Sequence, residues 1–232
     1  MKRFYKKVDI SQSDKGYFIT LDGKSVRTPS RQVLKMPTES LARAVADEWR
    51  EQGDDIRPAG MPLTQLSNTA IDRTGPHRIG VIEQVAAYAR TDLLCYRVAE
   101  PPDLAEQQTA SWQPLLDWGE SELGARLDVA TDLAPIDQPE ASLLAVYTAV
   151  ARLDDFSLTG LSAGTAACGS VIIGLALQRG RLAADEACSL AHLDEDYQSA
   201  RWGEDADAVT QRSAIRRAIA DAASFMALST ES

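Results

Sequence analysis

The sequence predicts an α+β protein: a small antiparallel β domain at the N-terminus followed by a larger all-α helical domain. Three observations carry that prediction. An Asp-Gly pair separates two strand-like runs near residue 22. The hydrophobic period changes from two to about 3.6 at Thr38, and almost all of the chain beyond residue 60 keeps the helical period.

The opening residues 4–10 alternate well enough for a first strand. Tyr17-Phe18-Ile19-Thr20-Leu21 is followed by Asp22-Gly23 and then Lys24-Ser25-Val26-Arg27-Thr28. Asp-Gly between two such runs predicts a hairpin, because a two-residue turn of this kind needs φ > 0 at both central positions. Pro29 has no N–H to give the ladder and ends it, and residues 32–36 form a further strand before Pro37. Thr38 can then accept from the free N–H groups of a helix that opens with Glu39 facing the dipole. Leu41, Val45 and Trp49 fall on one face of that helix before Gly53. The segment 54–62, with two prolines and a glycine, marks a junction, so the expected domains are residues 1–60 and 61–232. Beyond it the pattern predicts helices near 63–73, 78–96, 104–123, 139–153, 158–178, 184–201 and 207–228. Pro114 implies a kink or two shorter pieces in the third. In the last, Ala208, Ile215, Ile219, Ala222 and Met226 make one apolar stripe, away from Arg212, Arg216 and Asp221.

Composition removes several function classes. The 24 basic and 34 acidic side chains leave a formal charge of −10, a field that repels phosphate backbones and anionic headgroups. The basic clusters (Lys2, Arg3, Lys6, Lys7; Arg212, Arg216, Arg217) are short and interleaved, so no nucleic-acid partner is expected. Cys95, Cys168 and Cys188 lie far apart without a CxxC pair, which points to a reducing compartment. The start, MKRFYKKVDI, lacks the apolar run of a secretory signal and the length of a transit peptide, so a cytoplasmic chain, or a processed one in the mitochondrial matrix, is expected. Residues 158–177 carry no charge, but they are rich in Gly, Ala, Ser and Thr, so a buried core helix rather than a membrane span is predicted.

Three constellations could carry chemistry. Gly164 to Ser170 has the spacing of a phosphate-cradling loop without its lysine or a preceding strand, and close helix packing through small residues explains it better. Cys188, His192 and Glu195 stand at i, i+4 and i+7 of a predicted helix, with Ser199 a turn further on. Such a set could ligate a metal, or supply nucleophile, base and orienter to a hydrolytic enzyme. One helix normally gives only two ligands, and the other histidine, His77, lies in a Gly-Pro-His turn. A solvated face needs fewer assumptions, and the expected protein has no catalytic residues, metal or cofactor. The third is the acidic run Asp194-Glu195-Asp196, continuing through Tyr197, Gln198, Trp202 and Gly203 into Glu204, Asp205 and Asp207. Aromatics with a polar tip among carboxylates suit a protein interface, the rings anchoring a partner whose Lys or Arg the carboxylates pair. Asp72-Arg73 and Asp92 sit in apolar company, where internal ion pairs are expected, and the tryptophans 49, 112, 118 and 202 are expected in the core.

The order of segments resembles a known family, the assembly chaperones that act on the α subunit of the F-type ATP synthase catalytic head in mitochondria and related bacteria. The strings that carry the resemblance are RFYKKV, LDGKSVRTP, ADEWREQ, MPLTQLSNTAIDR, YARTDLLCYR, WQPLLDW, CGSVIIGLAL and LDEDYQSARWGED, in the family's order over nearly the whole chain. The resemblance implies a small β domain and a larger helical one, no catalysis, and binding of the newly made α subunit until the β subunit replaces it. It also implies an important acidic position near the C-terminus, here within Leu193-Asp194-Glu195-Asp196-Tyr197-Gln198, with Glu195 the leading candidate. The free chaperone is expected to be a monomer without membrane insertion.

Overall fold

Asp22 and Gly23 adopt φ values of 47° and 80° and close a tight hairpin, Gly23 having no Cβ to oppose a positive φ and aspartate being among the residues that tolerate one. The structure, a computed structural model, describes residues 1–14, 16–131, 136–203 and 206–230. The hairpin joins β2 (Gly16–Leu21) to β3 (Lys24–Ser25), and β2 also pairs antiparallel with β1 (Val8–Ser13) and β4 (Lys35–Met36). Register runs from Val8 opposite Leu21 to Ser13 opposite Gly16. Gly16, at φ 120°, is required, because a Cβ there would lie 2.5 Å from the Met36 carbonyl oxygen.

The first strand starts later than its alternation suggests. Residues ahead of Val8 pair with the junction segment instead: the Arg3 N–H donates to the Asp54 carbonyl at 2.8 Å and the Ile56 N–H to the Met1 carbonyl at 2.7 Å. Alternation reports a pleated strand but not its partner.

Helix α1 (Glu39–Arg50) is capped as expected, Thr38 Oγ1 accepting from the Leu41 N–H at 3.2 Å. The Thr38 hydroxyl also donates to the Leu228 carbonyl at 2.5 Å. Its buried face, Leu41, Ala42, Val45 and Ala46, packs with Ile19, Leu34 and Met36 of the sheet side and with Phe225. Phe225 in turn stacks on Phe156 at 5.9 Å between centroids. Helix α2 (Pro62–Thr69) has no cap of its own at Met61. Glu48 supplies it from α1, its carboxylate accepting from the N–H groups of Leu63 and Thr64 at 2.7 and 2.8 Å and from the Thr64 hydroxyl at 2.6 Å. A π-helical stretch, Ala70–Thr74, follows. Asp72 does not pair with Arg73; it accepts from the Thr28 hydroxyl at 2.7 Å and the Ser30 N–H at 2.9 Å.

The chain divides into two compact units, and neither is one continuous stretch. The first comprises Met1–Ile79, Asp154–Gly160 and Ser224–Ser232; the second comprises Gly80–Leu153 and Leu161–Ala223. In the first unit, helices distant in sequence complete the core over the sheet.

Ten α-helices occur among the described residues, several shorter than the periodicity implies. The expected helix 78–96 ends as α3 (Arg78–Ala87), followed by single turns at Tyr88–Arg90 and Leu93–Cys95. Asp92 caps the second turn through the Leu94 N–H at 3.1 Å and also accepts from the Ile172 N–H at 3.2 Å. It is fully buried, and its partners are these backbone groups and the Ser170 hydroxyl rather than the expected cation. Helix α4 (Pro102–Leu123) runs unbroken through Pro114, which is exposed together with Ala110, the residue whose carbonyl loses its intrahelical donor to the proline. Helix α5 is Glu140–Ala151. The uncharged stretch is two helices, α6 (Asp155–Cys168) and α7 (Val171–Gln178), because Gly169 takes φ 65° and Ser170 caps α7 through the Ile173 N–H at 3.0 Å. Residues 171–177 are all buried, and no helix among the described residues is long and apolar enough to cross a membrane.

Candidate interaction site

The acidic run predicted as an interface lies on α9 (Leu193–Trp202), which follows α8 (Ala184–Ala191) after a break at His192 and precedes α10 (Ala206–Thr230). The break corrects one expectation. At φ −111°, ψ 20°, His192 leaves helical geometry, so Cys188 lies in the last turn of one helix and Glu195 in the first turn of the next; His192 lines a groove with Glu195, and Cys188 does not. His192 Nδ1 lies 2.9 Å from the Cys188 carbonyl oxygen, to which it donates, and 3.6 Å from the Cys188 sulfur. Burial pushes the Cys188 thiol up, away from the thiolate a nucleophile needs. Among the described residues no group of three His, Cys, Asp or Glu side chains is placed to hold a metal.

Helical geometry splits the six candidate residues into three sets. Glu195, Gln198 and Trp202, at i, i+3 and i+7, line a groove of about 430 Å³. Ala208, Gln211, Arg212 and Ile215 of α10 form its other wall. Trp202 is 76% exposed, a large ring expected in the core that the structure leaves in solvent. Trp112, by contrast, is fully buried, its indole N–H donating to the Leu190 carbonyl at 3.0 Å. Gly203, at φ 84°, ends α9 directly after Trp202.

Asp194 and Tyr197 point the other way and tie α9 to α4. The buried Gln108 amide donates to Asp194 at 2.7 Å, while its oxygen accepts from the Val98 N–H at 2.8 Å. The Tyr197 hydroxyl donates to Asp103 at 2.8 Å, and Arg201 reaches the same carboxylate at 2.5 Å with its guanidinium 4.5 Å above the Tyr197 ring. The Tyr197 hydrogen bond holds the Asp103 carboxyl below its ordinary range. Asp196 pairs with Arg212 at 3.0 Å and fixes α9 against α10. Glu204 and Asp205, part of the same run, lie outside the described residues.

Sequence reasoning misses the α10 wall as a site. Ala208 and Ile215 carry a signal, since they belong to the apolar stripe, but the stripe reads as core along its whole length. Only its second half is buried: Ile219, Ala222 and Met226 lie inside, while Ala208 and Ile215 stand at the groove and Val209 is 42% exposed.

A two-unit α+β chain with an open groove of exposed aromatic and carboxylate groups has the features of a binding protein. Comparison with known proteins gives the family. The profile of the ATP12 chaperone protein family matches residues 2–120, and the chain belongs to that family, the ATP synthase assembly chaperones that its sequence strings resemble. The mitochondrial protein atp12 of Schizosaccharomyces pombe is 27% identical over 219 residues, covering 89% of this chain and 75% of that protein. The crystal structure of Atp12 from Paracoccus denitrificans superposes with a TM-score of 0.94 at 38% identity over 98% of both chains. An aspartate-to-lysine mutant of the Paracoccus protein gives 0.94 at 38% identity over 98% and 97%. The sheet followed by a larger helical region is the architecture of these structures.

Proposed function

We propose that this chain binds the unassembled α subunit of the F-type ATP synthase catalytic head and keeps it from aggregating until the β subunit takes its place. The observation that carries the reading is the α9–α10 groove, where Trp202 stands 76% exposed beside Glu195 in a chaperone family member. A subunit awaiting its neighbour exposes apolar surface, and a chaperone must cover it reversibly. An aromatic anchor with a carboxylate at its rim suits reversible cover, because the ring supplies contact area while the charge steers encounter and selects basic partners.

In this reading Glu195, Gln198 and Trp202 touch the client. Asp194 and Tyr197 position α9 through Gln108 and Asp103, and Asp196 does so through Arg212. The role requires no catalytic residue and no cofactor. It belongs in the bacterial cytoplasm, or in the mitochondrial matrix for an organellar chain, with the chaperone a monomer until it meets its client.

The test mixes the purified chain with isolated α subunit, isolated β subunit and assembled head, following light scattering and co-elution. Suppression of α-subunit aggregation alone, with release on addition of β, is the expected result. Glu195→Lys should weaken α-subunit binding at least about ten-fold, which corresponds to about 1.4 kcal/mol, with thermal unfolding unchanged. A chain that ignores the α subunit overturns the reading, and an unaffected Glu195→Lys removes that residue from it.

A further inference from the structure

The net charge of −10 conceals an internal division. The first 38 residues hold nine basic and three acidic side chains, whereas residues 39–232 hold fifteen basic and thirty-one acidic. The N-terminal one of the two short basic clusters, Lys2, Arg3, Lys6 and Lys7, thus belongs to a basic stretch that includes the strands of the first unit. A cleft of about 450 Å³ opens there, lined by none of the residues of the α9–α10 groove.

Three contiguous rings shape this cleft. Phe4 meets Tyr5 edge-on at 5.4 Å between centroids, and Tyr5 meets Trp49 at 5.6 Å. The Tyr5 hydroxyl is fixed by donation to the Trp49 carbonyl at 2.6 Å, and the Arg3 guanidinium lies 4.7 Å above the Tyr5 ring. Phe4 is 64% exposed, and the Trp49 indole N–H is closed off from solvent without an acceptor. Lys24 and Arg27, both exposed, stand at the margin. The acidic wall residue, Asp22, is occupied by the N–H groups of Lys6 and Lys7 at 3.2 and 2.9 Å. Arg27 gives one terminal nitrogen to the Arg31 carbonyl at 2.8 Å and keeps the other.

We infer that the Phe4/Tyr5/Trp49 cleft is a second docking site, and that its occupant is an acidic protein segment in which a large apolar side chain is flanked by carboxylates. The rings receive the apolar side chain, as an anchor fills a pocket. Lys24 and Arg27 pair with the flanking carboxylates, and the local positive field attracts such a segment out of a chain whose total charge repels it. A carbonyl that draws the indole edge toward the cleft gives the Trp49 N–H the acceptor it lacks.

Calorimetry with two capped hexapeptides tests this, one with a central Leu-Phe pair flanked by glutamates and the other flanked by lysines. The expected Kd for the acidic peptide is on the order of 100 μM, with no heat from the basic one. The double variant Lys24→Glu/Arg27→Glu and the single variant Phe4→Ser, all at exposed positions, should each weaken the acidic peptide about ten-fold or more. Trp202→Ala should leave it unchanged, which separates this site from the client groove. Equal binding of the two peptides, or indifference to the Lys24/Arg27 and Phe4 variants, overturns the proposal. So does Lys24/Arg27-dependent binding to phosphatidylglycerol vesicles in the absence of peptide binding, which would make the cleft a lipid site.

Discussion

Asp92 is a single carboxylate enclosed by the fold, and its surroundings give the pH dependence of stability a definite sign. Burial raises its carboxyl from 3.8 to about 6, outweighing the hydrogen bonds from Ser170, Leu94 and Ile172. In the folded chain it gains its proton as pH falls through about 6, whereas in the unfolded chain it stays ionised until about 4. The charged form therefore costs stability, and that cost grows as pH rises from about 4 to about 6 and is complete above. The shift corresponds to roughly 3 kcal/mol. Asp92→Asn keeps an acceptor and removes the charge, so relative to the parent chain it should gain stability on going from pH 4.5 to pH 7. Urea midpoints at the two values measure this, and a difference that does not change with pH would show that the buried charge carries no such penalty. In the sequence Asp92 is legible only as a polar group in apolar company; that backbone N–H groups from two separate segments answer it is a tertiary fact. Asp22-Gly23 is legible in full, because its requirement, positive φ at both positions, is local.

At the scale of elements, periodicity locates almost every helix but joins pieces that special backbone positions separate. Gly169 and His192 each end a helix inside a stretch whose apolar spacing continues, and hydrophobic spacing does not register a single residue leaving helical geometry. The candidate site is where this matters most. A continuous helix would align Cys188, His192 and Glu195; with the break Cys188 is left out, while His192, Glu195, Gln198 and Trp202 line the groove and Asp194 and Tyr197 face α4. The small residues of the glycine-rich stretch do serve close packing. A Cβ at Gly174 of α7 would lie 2.5 Å from Thr165 Oγ1 and 3.0 Å from Leu161 Cδ1 of α6. Helix propensity alone would favour alanine there by about 1 kcal/mol, but the overlap forces α6 and α7 apart in a fully buried layer. Gly174→Ala should lose about 1–3 kcal/mol in urea unfolding, while Gly180→Ala, in open space at a positive φ, tests the purely conformational cost at a neighbouring glycine. Equal stability of Gly174→Ala and the parent would mean that the helices part without cost.

At the scale of the whole molecule, the strand-to-helix order is legible from the change of period, but the composition of each compact unit is not. Nothing in the spacing of residues 224–230 says that they finish the core begun by residues 1–79. The structure shows how they do so: Phe225 is fully buried among Leu41, Val45 and their neighbours, Phe156 stacks on it at 5.9 Å, and the Leu228 carbonyl receives the Thr38 hydroxyl. The sheet thus depends on the far end of the chain for part of its hydrophobic cover. Replacing a buried phenylalanine by alanine typically costs about 3–5 kcal/mol, a large share of the about 5–15 kcal/mol that holds a typical protein folded. Phe225→Ala should therefore lower the urea midpoint well beyond any substitution at exposed Trp202. Ending the chain after Ala223 should cost more again, by removing Leu228 and the acceptor of Thr38. For the same reason a fragment of residues 1–79 should bind a hydrophobic dye and lack dispersed methyl resonances, and recover them when residues 154–160 and 224–230 are supplied on one linked chain. If residues 1–79 fold alone with native dispersion, Phe156 and Phe225 merely decorate a sufficient core, and the discontinuous unit is a matter of proximity rather than of stability.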